Sequence, residues 1–157
     1  METTWLVAYD FSRLAHAALA MAADMLSKQG GGRLLVAHVH QLRTSADGNG
    51  VDLATLVAGD LERAYVDDAE RLLREEMMAA EAPGVRLEGR VLSGRPAPAL
   101  CRLASEEGAR MIVVGSHGRR GVERLLVGSV AEAILRQAPC AVLVVKEPPP
   151  PPAATAS

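Results

Sequence analysis

The chain is poor in aromatic side chains and in cysteine, and both shortages exclude classes of function. Its 157 residues include one tryptophan, two tyrosines, one phenylalanine and two cysteines. Because base-stacking surfaces need several aromatic rings in one place, single-stranded nucleic acid is not an expected partner. Cys101 and Cys140 lack the spacing of metal ligands or redox pairs. They are therefore expected to be free, buried thiols.

The chain also lacks an excess of charge of either sign and any long apolar run. Its 17 basic and 19 acidic residues give a net charge of −2, which argues against a broad surface for nucleic acid or anionic lipid. No apolar run reaches the roughly 18 residues of a membrane span. Residues 1–9 lack the basic and apolar regions of a signal peptide. We therefore expect a cytoplasmic protein with neither a nucleic-acid nor a membrane partner.

Several well-known sequence motifs are missing as well. There is no G-x-x-x-x-G-K-S/T, no G-x-G-x-x-G after the first predicted strand, and no G-x-S-x-G. These absences argue against a P-loop protein, a dinucleotide-binding site and an α/β-hydrolase, respectively. A phosphoacceptor receiver domain needs an acidic residue at the end of its third strand, where this chain has Leu92 and Ser93.

What the chain does contain is a regular alternation of buried strands and amphipathic helices. The order β-α-β-α-β-α-β-α-β predicts one α/β domain with a five-stranded parallel sheet, strand order 3-2-1-4-5, and helices on both faces. This domain is predicted over residues 1–147, and the proline-rich tail at 148–157 is predicted to be disordered. The predicted strands are 4–9, 33–40, 85–92, 111–114 and 141–145, and the predicted helices begin near Leu14, Leu53, Pro96 and Val130.

Helical spacing also predicts which side of each helix is buried. Ser12 is the predicted N-cap of the first helix, and Gly30 to Gly32 end it. The predicted inner faces are Leu14, Ala17, Ala18, Met21, Ala22 and Met25 in the first helix, Leu61, Tyr65, Ala69, Leu72 and Leu73 in the second, and Ala131, Ile134, Leu135 and Ala138 in the fourth.

The most specific pattern is a glycine-rich segment between the fourth strand and the fourth helix. The sequence GSHG at 115–118 is followed by nine residues and then by Gly128 and Ser129. Glycines let the main chain approach an anion, and unpaired N–H groups at a helix start point towards it. The Ser129 hydroxyl adds one more donor. Ordinary turn glycines are the alternative, but the combination favours a phosphate site and hence a nucleotide.

Asp10 is the second candidate, because it ends the first strand. In a 3-2-1-4-5 sheet it lies beside the glycine-rich segment, where the winding reverses and ligands bind. Its carboxylate is expected to contact a base or ribose, or to help hold a metal. Alternatively, it stabilises the start of a helix. Ser116, Arg119 and Arg120 are candidate phosphate contacts, or else a cap and two solvated arginines.

The histidines give weaker signals. His117 can contact a base or phosphate, but no carboxylate at a fixed spacing orients it as a general base. His38 and His40 point to one face of a strand, as a metal pair would, yet no third ligand is evident. Polar positions at the edge of the core are the preferred interpretation. No catalytic residue is predicted, and the metal ligands are left unassigned.

Together these segments resemble the universal stress protein family. The sequence at 115–118 with Gly128 and Ser129 matches the family motif G-x(2)-G-x(9)-G-S/T. LVAYDFS at 6–12 is similar to the family's first strand and its aspartate, and APCAVLVV at 138–145 is similar to its last strand. The likeness covers all but the proline-rich tail and indicates a single-domain, ATP-binding member.

The resemblance implies an adenine nucleotide alpha hydrolase-like fold that binds ATP, with Mg²⁺ or Mn²⁺ as an accompanying ion. It also implies a homodimer joined through the last strand, Val142 to Val145. Asp10 would meet the adenosine end, Val39 the adenine, and the glycine-rich segment the ribose and phosphates. By this match the binding residues are Ala8, Tyr9, Asp10, Val39, Gly115, Ser116, Gly118, Arg119, Gly128, Ser129 and Val130.

Three functions remain open from the sequence. The favoured one is a nucleotide-dependent module of the stress response and signalling, in which ATP occupancy orders a loop and biases a dimer or partner surface. The second is a slow ATP hydrolase, self-phosphorylating protein or nucleotidyl-transfer enzyme that uses the same crevice. The third is a nucleotide-free interaction module that dimerises through its last strand. The sequence identifies neither the signal nor the protein partner.

Overall fold

The computed structural model describes residues 2–41, 53–117 and 127–147. Gly118, Arg119, Arg120 and the tail at 148–157 lie outside these residues. Within the described residues, strands and helices alternate in the predicted order. The elements are β1 (Thr4–Ala8), α1 (Arg13–Lys28), β2 (Gly32–His40), α2 (Leu53–Ala79), β3 (Val85–Ser93), α3 (Pro96–Glu106), β4 (Met111–Gly115), α4 (Ser129–Gln137) and β5 (Ala141–Val145).

The strands form one parallel sheet in the order β3-β2-β1-β4-β5, which confirms the predicted topology. The register pairs Ala8 with Ala37 across β1 and β2, and Val7 with Val113 across β1 and β4. Helices α1 and α2 pack on one face, and α3 and α4 pack on the other. Among the described helices, none combines the length and apolarity that a bilayer crossing requires.

The sheet separates two apolar clusters, and the central strands contribute to both. Leu34 and Val36 of β2 pack under α1 and α2, whereas Leu35 and Ala37 pack under α3 and α4. All four are at most 1% exposed. A fully buried Val or Leu stabilises a fold by about 1.5–3 kcal/mol. The continuous apolar run of β2 is therefore explained by burial on both sides, as expected for a central parallel strand.

Helix α1 begins as predicted, and the predicted inner residues Leu14, Ala18 and Ala22 are buried. The Ser12 side chain accepts a hydrogen bond from the Ala15 N–H at 3.1 Å and caps the helix. The predicted inner residues Ala17 and Met21 are exposed, so that part of the prediction was wrong. Because this helix is rich in alanine on every side, apolar spacing does not select one face. The buried residues are Leu14, Ala15, Ala18, Leu19, Ala22, Ala23 and Leu26.

The inner faces of α2 and α4 are corrected in part. Ala69 and Leu73 of α2 are buried, but Leu61 and Tyr65, expected beside them, are 66% and 47% exposed. The periodic pattern of α2 thus extends beyond the stretch that packs on the sheet. In α4, Ala131 and Ile134 are buried as predicted, whereas Leu135 is exposed.

The side-chain predictions for cysteine agree with the structure only in part. Both Cys101 and Cys140 are free thiols, as expected. Cys101 lies on the buried face of α3, and Cys140 is half-buried. Burial raises the pKa of both thiols above the usual value. Each is therefore a poor nucleophile, and neither contributes to the site described below.

Two glycine turns meet at the amino-terminal edge of the sheet. Gly30, Gly31 and Gly32 follow α1 with positive φ angles of 102°, 87° and 151°. A Cβ atom on Gly31 would lie 2.2 Å from the carbonyl oxygen of Gly84, in the turn before β3. A Cβ atom on Gly30 would meet nothing within 4 Å. The close approach of the two turns therefore requires glycine at position 31 for space as well as for backbone conformation.

We predict that Gly31→Ala destabilises the protein more than Gly30→Ala. Both substitutions place a Cβ on a left-handed backbone, which costs about 1–2 kcal/mol. Only Gly31→Ala adds a collision with a neighbouring main chain, which adds about 1–3 kcal/mol. The measurement is the free energy of unfolding from urea titrations of both variants. Equal losses would contradict the proposed contact between the turns.

Candidate functional site

A cavity of about 410 Å³ lies at the carboxyl ends of β1, β2 and β4. Its walls come from strand ends and from the first turns of α1, α3 and α4. Such a position, where the winding of the sheet reverses, is the usual ligand site of a parallel α/β fold. The described lining residues are Ala8, Tyr9, Asp10, Ser12, Ala15, Ala37, Val39, Pro96, Leu100, Val114, Gly115, Ser116, His117, Gly128, Ser129, Val130 and Ala131.

The structure brings most of the predicted site residues together around this cavity. Nine of the eleven line it, although they come from three strands and one helix far apart in sequence. The other two, Gly118 and Arg119, lie outside the described residues. The nine are Ala8, Tyr9, Asp10, Val39, Gly115, Ser116, Gly128, Ser129 and Val130.

Part of the cavity wall was not predicted from the sequence. Ser12 and Ala15 of α1, and Pro96 and Leu100 of α3, also line the cavity. A signal for Ser12 and Pro96 was available, because each was predicted to start a helix that follows a strand. Helices that follow parallel strands begin at the carboxyl edge of the sheet, so their first turns border any ligand there.

One end of the cavity is rich in main-chain donors. The Ser116 N–H bonds to the carbonyl of Val145, and the Gly128 N–H bonds to the carbonyl of Ser116. Gly128 is the N-cap of α4, and no side chain caps that helix among the described contacts. Since the Ser116 and Gly128 N–H groups are occupied, the donors for a ligand here are the first N–H groups of α4, which carry the positive end of the helix dipole and belong to residues 129–131 on the cavity wall. This end suits an anion.

Two glycines at this end are constrained by space. A Cβ atom on Gly115 would lie 2.9 Å from the Cβ of Leu14 in α1, so glycine allows β4 to approach that helix. A Cβ atom on Gly128 would lie 3.0 Å from the Ser116 carbonyl oxygen. Neither position has a positive φ, so the requirement is for close packing of strand, loop and helix rather than for an unusual backbone.

The opposite end of the cavity is apolar. Ala37 and Val39 project from β2, and Pro96 and Leu100 face them from α3. None of these side chains has a hydrogen-bonding group. A flat aromatic ring can be buried between them, and any polar recognition of that ring must come from main-chain groups.

Asp10 lies between the two ends. Its Oδ1 accepts a hydrogen bond from the Ser12 N–H at 3.0 Å, which closes the turn from β1 into α1. The carboxylate keeps further acceptor positions, since each oxygen has two. Asp10 therefore combines the structural role considered for it with a position on the cavity wall.

The neighbouring histidines are engaged in hydrogen bonds. His38 Nδ1 lies 2.9 Å from the Tyr9 carbonyl oxygen, and His40 Nε2 lies 2.8 Å from Ser93 Oγ. The described residues contain no group of three or more metal-binding side chains, and these contacts support the interpretation of both histidines as polar core positions. His117 Nδ1 lies 3.0 Å from Ser116 Oγ at the donor-rich end.

The Tyr9 side chain fixes the end of β1 in the core on the α1 and α2 side of the sheet. It is 3% exposed and packs among α1, α2 and the sheet. Burial, reinforced by a hydrogen bond and the charge of Glu76, raises the pKa of the Tyr9 phenol far above its usual value. The phenol therefore stays protonated and donates its hydrogen bond to Glu76, which is a structural role.

The site can thus hold an elongated ligand that is apolar and aromatic at one end and anionic at the other. The carboxylate of Asp10 stands where a sugar hydroxyl would connect the two. A nucleotide has this distribution of groups.

Sequence comparisons identify relatives of the whole described region. Residues 2–146 match the sequence profile of the Universal stress protein family. Universal stress protein MJ0531 of Methanocaldococcus jannaschii is 39% identical over 81 residues, which cover 52% of this chain and only 48% of that protein. A Thermus aquaticus universal stress protein, from the QAH/OAS sulfhydrylase 3′ region, is 34% identical over 152 residues, covering 93% of this chain and 100% of that protein.

Solved structures share the fold. Protein MJ0577 of Methanocaldococcus jannaschii superposes with a TM-score of 0.79 at 23% identity, over 95% of this chain and 99% of that one. A universal stress protein crystallised in complex with cAMP gives a TM-score of 0.66 at 25% identity, over 92% and 97%. Because the family profile matches nearly the entire chain and the Thermus aquaticus relative aligns over its full length, this chain belongs to the universal stress protein family.

Proposed function

We propose that this protein binds ATP in the cavity at the carboxyl edge of its sheet and acts as a nucleotide-dependent module of the stress response. The observation that carries the proposal is the pairing, in one cavity, of an apolar slot with a helix start that no described side chain caps, separated by Asp10. The complex of a structural relative with cAMP supports an adenine nucleotide as the ligand class.

In this arrangement the adenine ring lies between Val39 and the α3 residues Pro96 and Leu100. The ribose lies near Asp10, whose carboxylate accepts hydrogen bonds from its hydroxyl groups. The phosphates lie at the start of α4, where main-chain N–H groups and the Ser129 hydroxyl donate to them. A divalent ion such as Mg²⁺ would be held chiefly by phosphate oxygens, in the manner usual for this ion.

The proposed mode of action is binding rather than turnover. The first turn of α4 supplies hydrogen-bond donors at the phosphate end, and burial raises the pKa of the Tyr9 phenol, which therefore stays protonated. Occupancy can bias a partner surface only if ATP binds two states of the protein unequally. We infer that the segment between Ser116 and Val127 is the responsive element, since it joins β4 to the α4 start.

A second part of the proposal is a cytoplasmic homodimer joined through β5. This strand is an edge of the sheet, and its residues Val142, Leu143 and Val144 are only half-buried although all are apolar. The opposite edge, β3, carries charged Arg86, Glu88 and Arg90. Charges protect an edge from pairing, and an apolar edge without them favours it.

The proposed function is tested by identifying what the purified protein carries. The protein is prepared without added nucleotide and denatured, and the released small molecules are determined by mass spectrometry. Recovered ATP, or a thermal shift on its addition, is the expected result. ADP or AMP with sustained turnover would support an enzyme instead. No bound nucleotide together with no thermal shift would leave only an interaction module.

We predict that Gly128→Ala and Asp10→Asn affect opposite ends of the ligand. Gly128→Ala displaces the Ser116 carbonyl and the start of α4. It should lower the affinity for ATP about tenfold or more, because a charge-assisted hydrogen bond contributes about 1.5–3 kcal/mol, and should leave the affinity for adenosine unchanged. Asp10→Asn retains the bond to Ser12 but loses the charge, and should weaken both ligands alike. The measurement is isothermal titration calorimetry with ATP and adenosine. Gly59→Ala, where a Cβ meets nothing within 4 Å, is the control. Loss of adenosine binding in Gly128→Ala would contradict the assignment.

We also predict that pairing of β5 depends on protein concentration. In a dimer, the outward-facing amides of β5 are protected from hydrogen exchange at high concentration and lose protection on dilution. The amides of β3 serve as the internal control and should exchange alike at both concentrations. The measurement is amide exchange followed by mass spectrometry. Unchanged β5 exchange over a hundredfold dilution would contradict a β5 dimer.

A further inference from the structure

The turn that carries Asp10 contains a strained residue. Phe11 has φ of 62°, and among the described residues it is the one non-glycine residue with a positive φ. A left-handed backbone costs an ordinary residue about 1–2 kcal/mol, and it persists only where the surroundings enforce it. The geometry of the Asp10 turn is therefore imposed by contacts outside the turn.

Aromatic packing on the α1 and α2 side of the sheet supplies some of these contacts. The ring of Phe11 meets Tyr9 edge-on at 5.2 Å and the imidazole of His38 at 4.9 Å. Edge-to-face pairs of rings contribute about 0.5–1.5 kcal/mol beyond their buried area. Phe11 is not among the described residues that line the cavity, so its side chain supports the turn through its contacts with Tyr9 and His38.

His38 adds a directional contact. It follows Ala37 on β2 as Tyr9 follows Ala8 on β1, and these alanines are partners in the sheet. The Tyr9 N–H donates to Ala37 O at 2.8 Å, and His38 Nδ1 lies 2.9 Å from Tyr9 O. Because a carbonyl only accepts, Nδ1 carries the proton and donates. The imidazole thus adds one more hydrogen bond between β1 and β2 beyond the last main-chain bond of the sheet. This bond is made to Tyr9, the residue before Asp10.

Tyr65 holds the other side of the imidazole. Its hydroxyl lies 3.0 Å from His38 Nε2, which in the neutral ring is the acceptor. Tyr65 belongs to α2 and is 47% exposed, so the connection runs from the protein surface to the end of β1. Such a pair fixes both the tautomer and the orientation of the ring, as second partners do for functional histidines.

We propose that His38 is a positioning residue for the nucleotide site. It holds the Tyr9 carbonyl and the Phe11 ring, keeps the strained turn closed, and thereby presents the Asp10 carboxylate to the ligand. His38 is not among the described lining residues, so it acts through Asp10 and not by touching the nucleotide. This inference rests on the proposed function and assigns to the site a determinant that does not line the cavity.

The test compares His38→Leu with His38→Asn. The asparagine amide can donate from nearly the position of Nδ1, whereas leucine leaves the Tyr9 carbonyl without this donor. We expect His38→Leu to lower the affinity for adenosine about tenfold, and the affinity of His38→Asn to stay within about threefold of that of the parent protein. His40→Leu is the matched control. His40 lies on the same face, bonds to Ser93 and packs 5.4 Å from the Tyr65 ring, but the described contacts do not join it to the Tyr9 carbonyl or the Phe11 ring, so this variant should retain adenosine affinity.

A merely structural role for His38 is separated by a double-mutant cycle with Asp10→Asn. If His38 acts through the carboxylate, His38→Leu should cause little further loss of adenosine affinity in the Asp10→Asn background, while its effect on thermal stability remains the same. Equal affinity losses in both backgrounds would overturn the inference. Should His38→Leu fail to fold, Tyr65→Phe, at an exposed position, is expected to lower affinity two- to threefold and to show the same dependence on Asp10.

A measurement without nucleotide separates the failure of this inference from that of the proposed function. Amide NMR signals of Asp10, Phe11 and Ser12 should broaden by exchange in His38→Leu and match the parent in His38→Asn. Unchanged signals in both would overturn the positioning of the turn even if ATP binds. A parent protein that binds no nucleotide would instead remove the proposed function, and with it the role of His38 in binding.

Discussion

The reversal of winding between β1 and β4 is the constraint on which the site depends. From β1 the chain crosses on one face to β2 and β3, and the later strands β4 and β5 are added on the other side of β1 with helices on the other face. At the boundary the two connections leave the sheet in opposite directions, which opens a crevice at its carboxyl edge. The cavity is therefore a product of strand order and does not require a special insertion.

The same constraint explains why residues far apart in sequence converge. The first turns of α1, α3 and α4 reach the cavity from both layers, with Ala15 from one side and Leu100 and Ala131 from the other. The two apolar clusters are thus separate through most of the molecule and meet at the site. A ligand there contacts both helical layers, so its binding stabilises the folded state of the whole domain.

Strands and their order were predictable because a short, continuous apolar run such as 34–37, in a chain that alternates with helices, is typical of a strand buried on both faces. The position of the candidate site was predictable for a related reason, since the end of each strand marks the carboxyl edge of the sheet. The inner face of α1 was predictable only in part: Leu14, Ala18 and Ala22 are buried, but alanine contributes apolar character on all sides, and packing against β1 and β4 decides which further residues are covered. The predicted burial of Leu61 and Tyr65 was wrong for a similar reason, because the apolar spacing of α2 continues into a part of the helix that is exposed. The left-handed Phe11 had no signal in the sequence, because the contacts that enforce it come from β2.

The glycine cap of α4 has a consequence for selectivity. Among the described residues, the start of α4 offers main-chain N–H groups and the Ser129 hydroxyl, and a tetrahedral oxyanion such as phosphate or sulfate can accept from both. We therefore expect discrimination among ligands to come chiefly from the apolar end, while the anion end supplies general attraction. Sulfate or phosphate in the buffer would compete for that helix start. The apparent affinity of the pocket for a nucleotide would then be lower than in a chloride buffer.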